Sequence, residues 1–379
     1  PVGGPPWWRA RRTELVRIAH ERSCAYVYDR ATLERACAQL LALRGIGQVF
    51  YAVKANPHPE ILQVMGRAGL AFECVSKGEV ARVLQVVPDI DRRKVLFTPN
   101  FAPREEYEWA LAQGVWVTLD NLHPLRHWGE SFRGRDILVR IDTGYGRGHH
   151  DHVRTAGVHS KFGVPLFELD ELERLVAGVG ARVVGLHAHT GSGVFDVRNW
   201  HEVGHLLGGL TERFADVRCI DLGGGLGVPE KAGQAPVDFS ALQEVLDDVH
   251  ARWPKPAIWL EPGRYLVAQA GVLVAEVTQL KGKGAVQYVG VSTGMNSLIR
   301  PALYGAYHDI VNLTRLDEPG SEVYNVVGPI CESADHLGHE RLLPPTVEGD
   351  VLLVANAGAY GHAMSSWYNL REPAREVVI

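Results

Sequence analysis

The feature of this sequence that most constrains its fold is an alternation of β-type apolar runs with helical patterns. Most of the runs are followed by segments with apolar residues at i, i+3 or i+4, which is the helical period. Strand and helix alternating for eight cycles over roughly 240 residues is typical of a (β/α)8 barrel. An open doubly wound sheet is the competing interpretation. The predicted strands are Val49–Lys54, Phe72–Ser76, Val95–Pro99, Trp116–Asn121, Ile137–Asp142, Val183–Thr190, Val217–Gly225 and Ile258–Gly263.

After about Gly271 the pattern changes to strands separated by turns, which predicts a C-terminal all-β domain. Cys24–Tyr28 is also strand-like and is predicted to join that domain. We therefore expect a barrel at residues 29–270 and a β-domain formed by residues 1–28 and 271–379. The strands predicted for the β-domain are Val272–Leu280, Val286–Val291, Glu322–Val327 and Val351–Ala355.

Composition excludes several classes of partner. A formal net charge of −5 without Lys/Arg clusters argues against nucleic acid. No apolar run approaches the roughly 18 residues of a membrane helix, and no signal-peptide pattern opens the chain. The five cysteines are scattered without paired spacing, so we expect a reducing cytoplasm. Because Pro1 rather than Met opens the sequence, either its start was trimmed or it is one domain of a longer polypeptide.

The carboxyl ends of the strands carry the chemistry of a (β/α)8 barrel. Lys54 ends the first strand, where its amine can form a Schiff base; the alternative is an ordinary solvated lysine. We expect the residues at the other strand ends to converge with Lys54. Those residues are Ser76, Asn121, His189, Ser192, Gly223, Gly224, Gly225 and Glu261.

The glycine run at residues 223–225 follows a strand immediately, and without Cβ atoms its backbone amides can approach a phosphate closely. A tight turn is the alternative interpretation. Ser192 could add a hydroxyl to the same anion, and Arg264 could bind either that phosphate or a substrate carboxylate. Glu261, beside Arg264 in sequence, could hold a pyridine nitrogen protonated, or it could simply pair with the arginine.

Histidines support a second hypothesis. His187 and His189 are spaced i, i+2 on a predicted strand, so they face one side and could bind zinc in a barrel hydrolase. His149, His150 and His152 lie in a polar, glycine-rich segment that we interpret as a loop. Glu261 is the one strand-end carboxylate that could complete such a site, and it is adjacent to an arginine. The sequence therefore favours His189 as a flat ring stacked on an aromatic cofactor, without a metal.

Motifs spanning nearly the whole chain resemble, in type and order, those of the fold-type III pyridoxal-phosphate decarboxylases. Within that group they are most similar to the diaminopimelate decarboxylase family. The resemblance implies an alanine racemase-like barrel with a C-terminal β-domain, pyridoxal 5'-phosphate as cofactor, and a homodimer with shared active sites. The motifs are Tyr51-Ala52-Val53-Lys54-Ala55-Asn56, Ser160-Lys161-Phe162-Gly163, His187-Ala188-His189-Thr190-Gly191-Ser192, Gly223-Gly224-Gly225, Glu261-Pro262-Gly263-Arg264-Tyr265, Leu298-Ile299-Arg300-Pro301-Ala302-Leu303-Tyr304, Gly328-Pro329-Ile330-Cys331-Glu332-Ser333 and Gly358-Ala359-Tyr360.

The resemblance also implies a role for each matching residue. Lys54 would hold the cofactor covalently, His189 would stack on its ring and Glu261 would pair with its pyridine nitrogen. The phosphate would be bound by Ser192, Gly223, Gly224, Gly225 and Tyr360. In the β-domain of a partner subunit, Cys331 would donate a proton and Glu332 would hold the distal ammonium of the substrate. The distal carboxylate would be held by Arg264, Arg300 and Tyr304.

Three places depart from the common pattern of the family. Glu73 stands where Asp is frequent, and Ser292-Thr293 lacks the aspartate often found before Gly-Met-Asn. The stretch at residues 140–150 resembles the variant fused behind an aspartate kinase. The resemblance implies decarboxylation of meso-2,6-diaminopimelate to L-lysine and carbon dioxide. The alternative is a decarboxylase of another basic amino acid (ornithine, lysine or arginine), which an arginine at the substrate tail disfavours.

Overall fold

The computed structural model describes residues 5–144, 160–231 and 233–379. The predicted loop histidines His149, His150 and His152 lie outside these residues. The described chain forms two compact units. One, here called the β-unit, comprises Pro1–Leu33, Pro229–Pro236 and Leu266–Ile379; the other, the barrel unit, comprises Glu34–Val228 and Val237–Tyr265.

Within the described residues the strands, β1 to β17, are Cys24–Tyr28, Ile46–Ala52, Ala71–Cys74, Val95–Phe97, Trp116–Leu119, Asp136–Asp142, Val164–Pro165, Arg182–His187, Cys219–Asp221, Ala257–Leu260, Gly271–Lys283, Val286–Val291, Ile310–Asn312, Glu322–Val327, His336–Leu343, Val351–Val354 and Arg375–Val378. The helices of the same residues, α1 to α13, are Trp7–Ala10, Arg12–Arg22, Arg30–Leu41, Pro59–Arg67, Lys77–Val86, Arg104–Gln113, His123–His127, Gly129–Phe132, Leu169–Val179, Arg198–Leu210, Phe239–Arg252, Arg264–Val267 and Arg300–Tyr304.

The strands of the barrel unit close into a ring. Their order is β5-β4-β3-β2-β10-β9-β8-β6, and an additional β5–β6 pairing joins the two ends. Every pairing around the ring is parallel. The predicted (β/α)8 barrel is therefore confirmed, and the open doubly wound alternative is wrong.

A layer of apolar side chains in the barrel unit contains one residue from each strand of the ring, of which Trp116 and Trp259 are only partly buried. This layer packs large and small side chains side by side, as a closed barrel of this size requires. All eight strands run in the same direction, so their carboxyl ends share one rim of the barrel. The layer consists of Phe50, Ala71, Leu96, Trp116, Leu138, Val184, Cys219 and Trp259.

Helices alternate with the strands around the barrel, as the sequence pattern predicts. Helix α4 has a strongly one-sided apolar pattern and buries Ile61, Leu62, Val64 and Met65. Helix α10 begins at Arg198 and ends at Leu210, where a short 3-10 turn continues the chain to Arg213. No helix in the described parts of the chain is both long and apolar enough to cross a membrane.

In the β-unit, β11 is the central strand. It pairs with β1, β12 and β16, and β1 also pairs with β17. The strand predicted at Cys24–Tyr28 therefore belongs to this sheet. Helix α2 covers it through Leu15 and Ile18, which pack into a buried cluster with Val272 and Leu353. The four predicted strands of the β-domain are confirmed, whereas β13, β15 and β17 were not predicted.

Candidate active site

Lys54 lies at the carboxyl rim of the barrel, in a 3-10 turn directly after β2. Its Nζ donates to Oε2 of Glu73 at 2.6 Å. Glu73, in β3, is buried, and its other oxygen accepts a hydrogen bond from the hydroxyl of Thr98. A buried carboxylate thus fixes the position of the amine. An ordinary solvated lysine lacks such a partner, so this geometry favours a functional amine.

The glycine run at residues 223–225 packs closely against the backbone beyond β8 and β10. A Cβ atom on Gly223 would lie 2.5 Å from the carbonyl oxygen of Ala188, and one on Gly224 would lie 2.2 Å from that of Glu261. On Gly225, where φ is +97°, it would lie 2.6 Å from the carbonyl oxygen of Gly191. All three of these separations from backbone oxygens are too short for a Cβ atom, so none of the three positions accepts a side chain without a shift of the backbone. The glycines therefore let the loop after β9 pack between the ends of β8 and β10.

Two amides of the glycine run have partners within the barrel unit. The N–H of Gly223 donates to Asp221 Oδ1 at 2.9 Å, and the N–H of Gly224 donates to His189 Nδ1 at 3.2 Å. The bond from Gly224 fixes the tautomer of the neutral His189 ring, because Nδ1 accepts it and the ring proton must then lie on Nε2. Binding of a phosphate by these two amides stays a prediction.

His189 is held as a neutral ring. Burial lowers its pKa well below the ordinary value, and the charges of Arg140 and Lys54 lower it further. Arg140, in β6, donates from Nη2 to the carbonyl oxygen of His189 at 3.4 Å and lies over the ring of Phe162 at 4.3 Å. A neutral imidazole can lie flat against an aromatic ring without the cost of burying a charge. Sequence reasoning gave Arg140 no role, since it lies inside a strand.

Glu261 follows β10 and is buried beside His187, the last residue of β8. His187 Nε2 lies 3.1 Å from Glu261 Oε2. Burial alone would raise the pKa of Glu261, but the charge and hydrogen bond of His187, together with the charge of Lys54, outweigh it and lower that pKa to about 2. Glu261 Oε1 has no hydrogen-bond partner among the described residues. The site thus presents an ionised carboxylate with one unsatisfied oxygen.

Asp221, at the end of β9, completes a buried group with His187 and Glu261. The ligand atoms of these three side chains lie within 4.8 Å of one another. Burial and the neighbouring charge of Glu261 raise the pKa of Asp221 well above its ordinary value. Its neutral form is therefore favoured, and the negative charge of the pair resides on Glu261.

The predicted zinc pair does not share a site. His187 contacts Glu261, whereas Nδ1 of His189 accepts from Gly224. Among the described residues, the buried group that includes His187 does not include His189. The two histidines have different partners, and β8 ends at His187, so His189 lies beyond the strand. The i, i+2 argument for a metal was therefore wrong.

Two further side chains converge beside the glycine loop. Arg264 donates from both Nε and Nη2 to Ser192 Oγ, each at 3.1 Å. Both residues are placed near one another as predicted. The cation and the hydroxyl can therefore act on one anion.

Ser76 and Asn121 have local structural roles instead. Ser76 caps α5, since its Oγ accepts from the N–H of Glu79 at 3.2 Å. Asn121 Oδ1 accepts from the N–H of His123 at 2.9 Å. In each case the true strand ends earlier, at Cys74 and Leu119, so these side chains belong to the start of the following helix.

In the β-unit, Arg300 and Tyr304 are the first and last residues of α13. Arg300 is buried, with Nη1 3.0 Å from His308 Nε2 and Nη2 3.5 Å from Glu230 Oε1. Tyr304 and Tyr360 are each partly exposed. Tyr360 adopts the left-handed backbone conformation, with φ of +56°.

Cys331 and Glu332 lie on an exposed turn of the β-unit. Its shape is set by Asp335, which accepts from the N–H of Met295 at 2.6 Å and from that of Ile330 at 2.7 Å. The N–H of Cys331 donates to Asn369 Oδ1 at 2.6 Å. The thiol and the carboxylate are thus presented outward by a well-bonded turn.

Comparison with known proteins agrees with this geometry. Residues 30–268 match the family model described as pyridoxal-dependent decarboxylase, pyridoxal binding domain. Diaminopimelate decarboxylase of Methanothermobacter thermautotrophicus is 37% identical over 345 residues, covering 88% of this chain and 80% of that protein. That of Haemophilus influenzae is 35% identical over 369 residues, covering 93% and 87% respectively. The chain belongs to the diaminopimelate decarboxylase family.

The structure of the family member from Helicobacter pylori, solved in complex with L-lysine, superposes with a TM-score of 0.88 at 27% identity. The superposition covers 97% of this chain and 94% of that one. The match to the pyridoxal-binding model includes every barrel residue described above, from Lys54 to Arg264. The cofactor of the family is therefore pyridoxal phosphate.

The sequence did not identify Glu73, His187 and Asp221 as residues that contact or surround the predicted site residues. Glu73 was noticed only as a departure from the family pattern, and His187 only as a metal ligand. Strand alternation contained a signal for Glu73, because β3 runs beside β2 and places it next to Lys54. For His187 and Asp221 the signal was weaker, since polar residues inside apolar strands indicate a buried network without identifying its members.

Proposed function

We propose that this protein decarboxylates meso-2,6-diaminopimelate to L-lysine and carbon dioxide with pyridoxal phosphate. The observation that carries the proposal is the buried, ionised Glu261 with one unsatisfied oxygen, at the same barrel rim as Lys54. An amine and a carboxylate placed in this way suit a cofactor that has an aldehyde at one position and a basic ring nitrogen at another.

The residues present fit that cofactor. Glu261 Oε1 accepts no hydrogen bond from the described residues, and a protonated ring nitrogen would donate one to it. The neutral ring of His189 offers an aromatic face, and Ser192 offers a hydroxyl to a phosphate. Tyr360 would join the same phosphate from the β-unit. Gly223, Gly224 and Gly225 are needed to bring these strand ends together, and their proposed contact with the phosphate rests on family resemblance.

When bound, pyridoxal phosphate supplies an electron sink for the bond to the departing carboxylate. Lys54 is the residue that holds it, and Glu73 keeps the amine of Lys54 in place. Glu261 would supply the negative charge that keeps the ring nitrogen protonated, because His187 opposes the effect of burial on the pKa of Glu261. These residues act through fixed charges rather than by moving, which is how preorganised sites lower barriers.

The substrate-binding residues are proposed to come from two subunits. Cys331 would donate a proton to the carbon that loses its carboxylate, and Glu332 would bind the distal ammonium. Their exposed turn supports this assignment, because an exposed thiol and carboxylate are available to a partner. We propose a homodimer with shared active sites, in the cytoplasm, with the β-unit contributing to the dimer interface.

The distal carboxylate of the substrate would be bound by Arg264, Arg300 and Tyr304. Arg300 already has Glu230 as a counter-ion at 3.5 Å. A substrate carboxylate would therefore share or replace the contact with Glu230. This arrangement disfavours the alternative of a decarboxylase of ornithine, lysine or arginine, since a cationic tail would meet an arginine without supplying an anion.

Carbon dioxide release from a panel of amino acids with added pyridoxal phosphate tests the function. We expect release from meso-diaminopimelate and little from L-lysine, L-ornithine or L-arginine. Absence of release from diaminopimelate, with release from another amino acid, would reject the proposed substrate. The relatives above are decarboxylases that are matched over most of their length. These matches do not support the predicted fusion behind an aspartate kinase, which stays a prediction.

Borohydride treatment of the holoenzyme tests the role of Lys54 separately. Reduction makes the attachment irreversible, so peptide mapping should find the cofactor on Lys54. Label on Lys77 or Lys161 instead would overturn the assignment of the lysine. Because this readout requires no turnover, it is independent of the substrate.

A further inference from the structure

A group of two imidazoles and one carboxylate lies on the outside of the barrel unit. His201 and His205 are spaced i, i+4 on α10, so both project from one face of the helix. Asp248 lies on α11. His201 Nε2 is 3.2 Å and His205 Nε2 is 2.7 Å from the same oxygen, Asp248 Oδ2. The ligand atoms of all three lie within 4.8 Å of one another.

Helix packing fixes this geometry. Gly204 lies between the two histidines in sequence, and a Cβ atom there would be 2.6 Å from Val249 Cγ2. One turn later, a Cβ atom on Gly208 would be 2.3 Å from the ring of Trp253. Small residues at both positions let α10 and α11 approach closely. The close approach is what brings Asp248, the residue before Val249, within reach of both histidines.

We propose that His201, His205 and Asp248 form a binding site for a divalent transition-metal ion, with Zn²⁺ the best fit. Zinc binds imidazole nitrogen and carboxylate oxygen at about 2.0–2.2 Å, so tetrahedral ligand atoms lie about 3.3 Å apart. The separation of 3.2 Å between His201 Nε2 and Asp248 Oδ2 is close to this value, whereas the 2.7 Å between His205 Nε2 and the same oxygen would have to widen by about 0.6 Å on metal binding. Three protein ligands leave one position for water.

The charge and exposure of the group agree with metal binding. The His201, His205 and Asp248 side chains are 46%, 33% and 57% exposed, so an ion can enter and the side chains can adjust. An aspartate side chain is anionic at neutral pH, so Asp248 can serve as an anionic ligand. The formal net charge of the protein, −5, also favours association with a cation.

A bound ion would connect α10, which follows β8, to α11, which precedes β10. The site is separate from the cofactor residues and does not depend on the proposed decarboxylation. Since an ion that binds only the folded state stabilises it, the melting temperature should rise with metal concentration. A simple pair of hydrogen bonds between histidine and aspartate would give no such dependence.

Calorimetric titration of the holoenzyme with zinc chloride tests the proposal, with visible absorption of added cobalt(II) as a second readout of imidazole ligation. The variants are His205→Asn and Asp248→Asn. The control is His123→Asn, because His123 and His127 form another i, i+4 pair, with ring centroids 4.3 Å apart, that is not part of a three-ligand group among the described residues.

We expect one zinc ion to bind the wild type and the control equally. Either ligand substitution should weaken binding at least about tenfold, or about 1.4 kcal/mol, and remove the zinc-dependent rise in melting temperature. Melting without metal checks that the variants fold. Unchanged zinc affinity in His205→Asn, or no binding to the wild type, would overturn the proposal. If zinc bound elsewhere, for example at the exposed thiol of Cys331, the His205→Asn variant would keep its zinc affinity.

Discussion

His187 Nε2 lies 3.1 Å from Glu261 Oε2, and both side chains are buried. The two residues belong to the ends of β8 and β10, and Asp221 ends the strand between them. A carboxylate buried without a partner would be expected to take up a proton. Here His187 lowers the pKa of Glu261, so Glu261 stays ionised. The pKa of Asp221 is raised instead, so Asp221 favours its neutral form.

Replacing Glu261 with Gln tests whether its charge is needed. The amide keeps the shape but cannot keep a ring nitrogen protonated, so turnover should fall by roughly a hundredfold, about 2.7 kcal/mol of barrier. Cofactor content, measured by absorbance, should largely survive. The matched control is Glu212→Gln on the surface of the same unit, which should leave turnover unchanged. Full turnover in Glu261→Gln would reject the role of its charge.

His187→Gln should shift the pH dependence of turnover. The pKa of Glu261 is lowered to about 2, so its charge is kept from neutral pH down to that value. Without the imidazole, burial dominates and the pKa rises. The acid limb of the kcat profile should therefore move to higher pH, with a smaller loss at alkaline pH. A uniform loss across the profile would instead indicate a purely structural role for His187.

The same carboxylate makes a contribution to stability whose sign follows from its pKa. Since the pKa of Glu261 is below its ordinary 4.5 in the folded protein, the contribution is present above about 4.5 and is lost as the pH falls toward 2. Asp221 acts in the opposite sense, because its raised pKa favours the protonated form. The buried group therefore gains stability from one charge only.

The barrel could be predicted because alternation and helical period are properties of local sequence. Lys54 and Glu261 could be placed at the rim for the same reason, as each follows an apolar strand. The contacts of Lys54 with Glu73 and of Glu261 with His187 could not be predicted in this way, because they depend on which strands are neighbours and on the direction of each side chain. Ser76 and Asn121 were misplaced because one or two residues separate a strand end from a helix cap.

Gly224→Ala tests the packing of the glycine loop. The added Cβ would lie 2.2 Å from the backbone oxygen of Glu261, so strand ends must shift at a cost of about 1–3 kcal/mol. Urea unfolding measures the loss. The control is Gly178→Ala in α9, where a Cβ meets nothing within 4 Å and alanine should stabilise the helix by roughly 0.5–1 kcal/mol. Equal effects of the two substitutions would show that close approach is unimportant at Gly224.

The last prediction concerns the tail of the substrate, which Arg300, Tyr304 and Glu332 are proposed to bind. A tail with both an ammonium and a carboxylate satisfies all three, whereas the tail of L-lysine supplies no anion. A site built for a polar group rejects analogues that lack it by about 10⁴-fold, which we expect for the ratio of kcat/KM values of diaminopimelate and L-lysine.

Substitution of Arg300 separates binding from folding. Arg300 is buried against Glu230 and His308, so Arg300→Ala should both destabilise the protein and damage activity on diaminopimelate. Arg300→Lys keeps the charge but loses the forked geometry, so it should fold better and still raise KM for diaminopimelate. Melting temperatures of both variants identify any loss of folded protein. Residual activity on L-lysine should fall much less than activity on diaminopimelate, because the lysine tail makes no contact with the guanidinium. Equal kcat/KM values of the wild type for the two amino acids would contradict the assignment and favour a basic amino-acid decarboxylase.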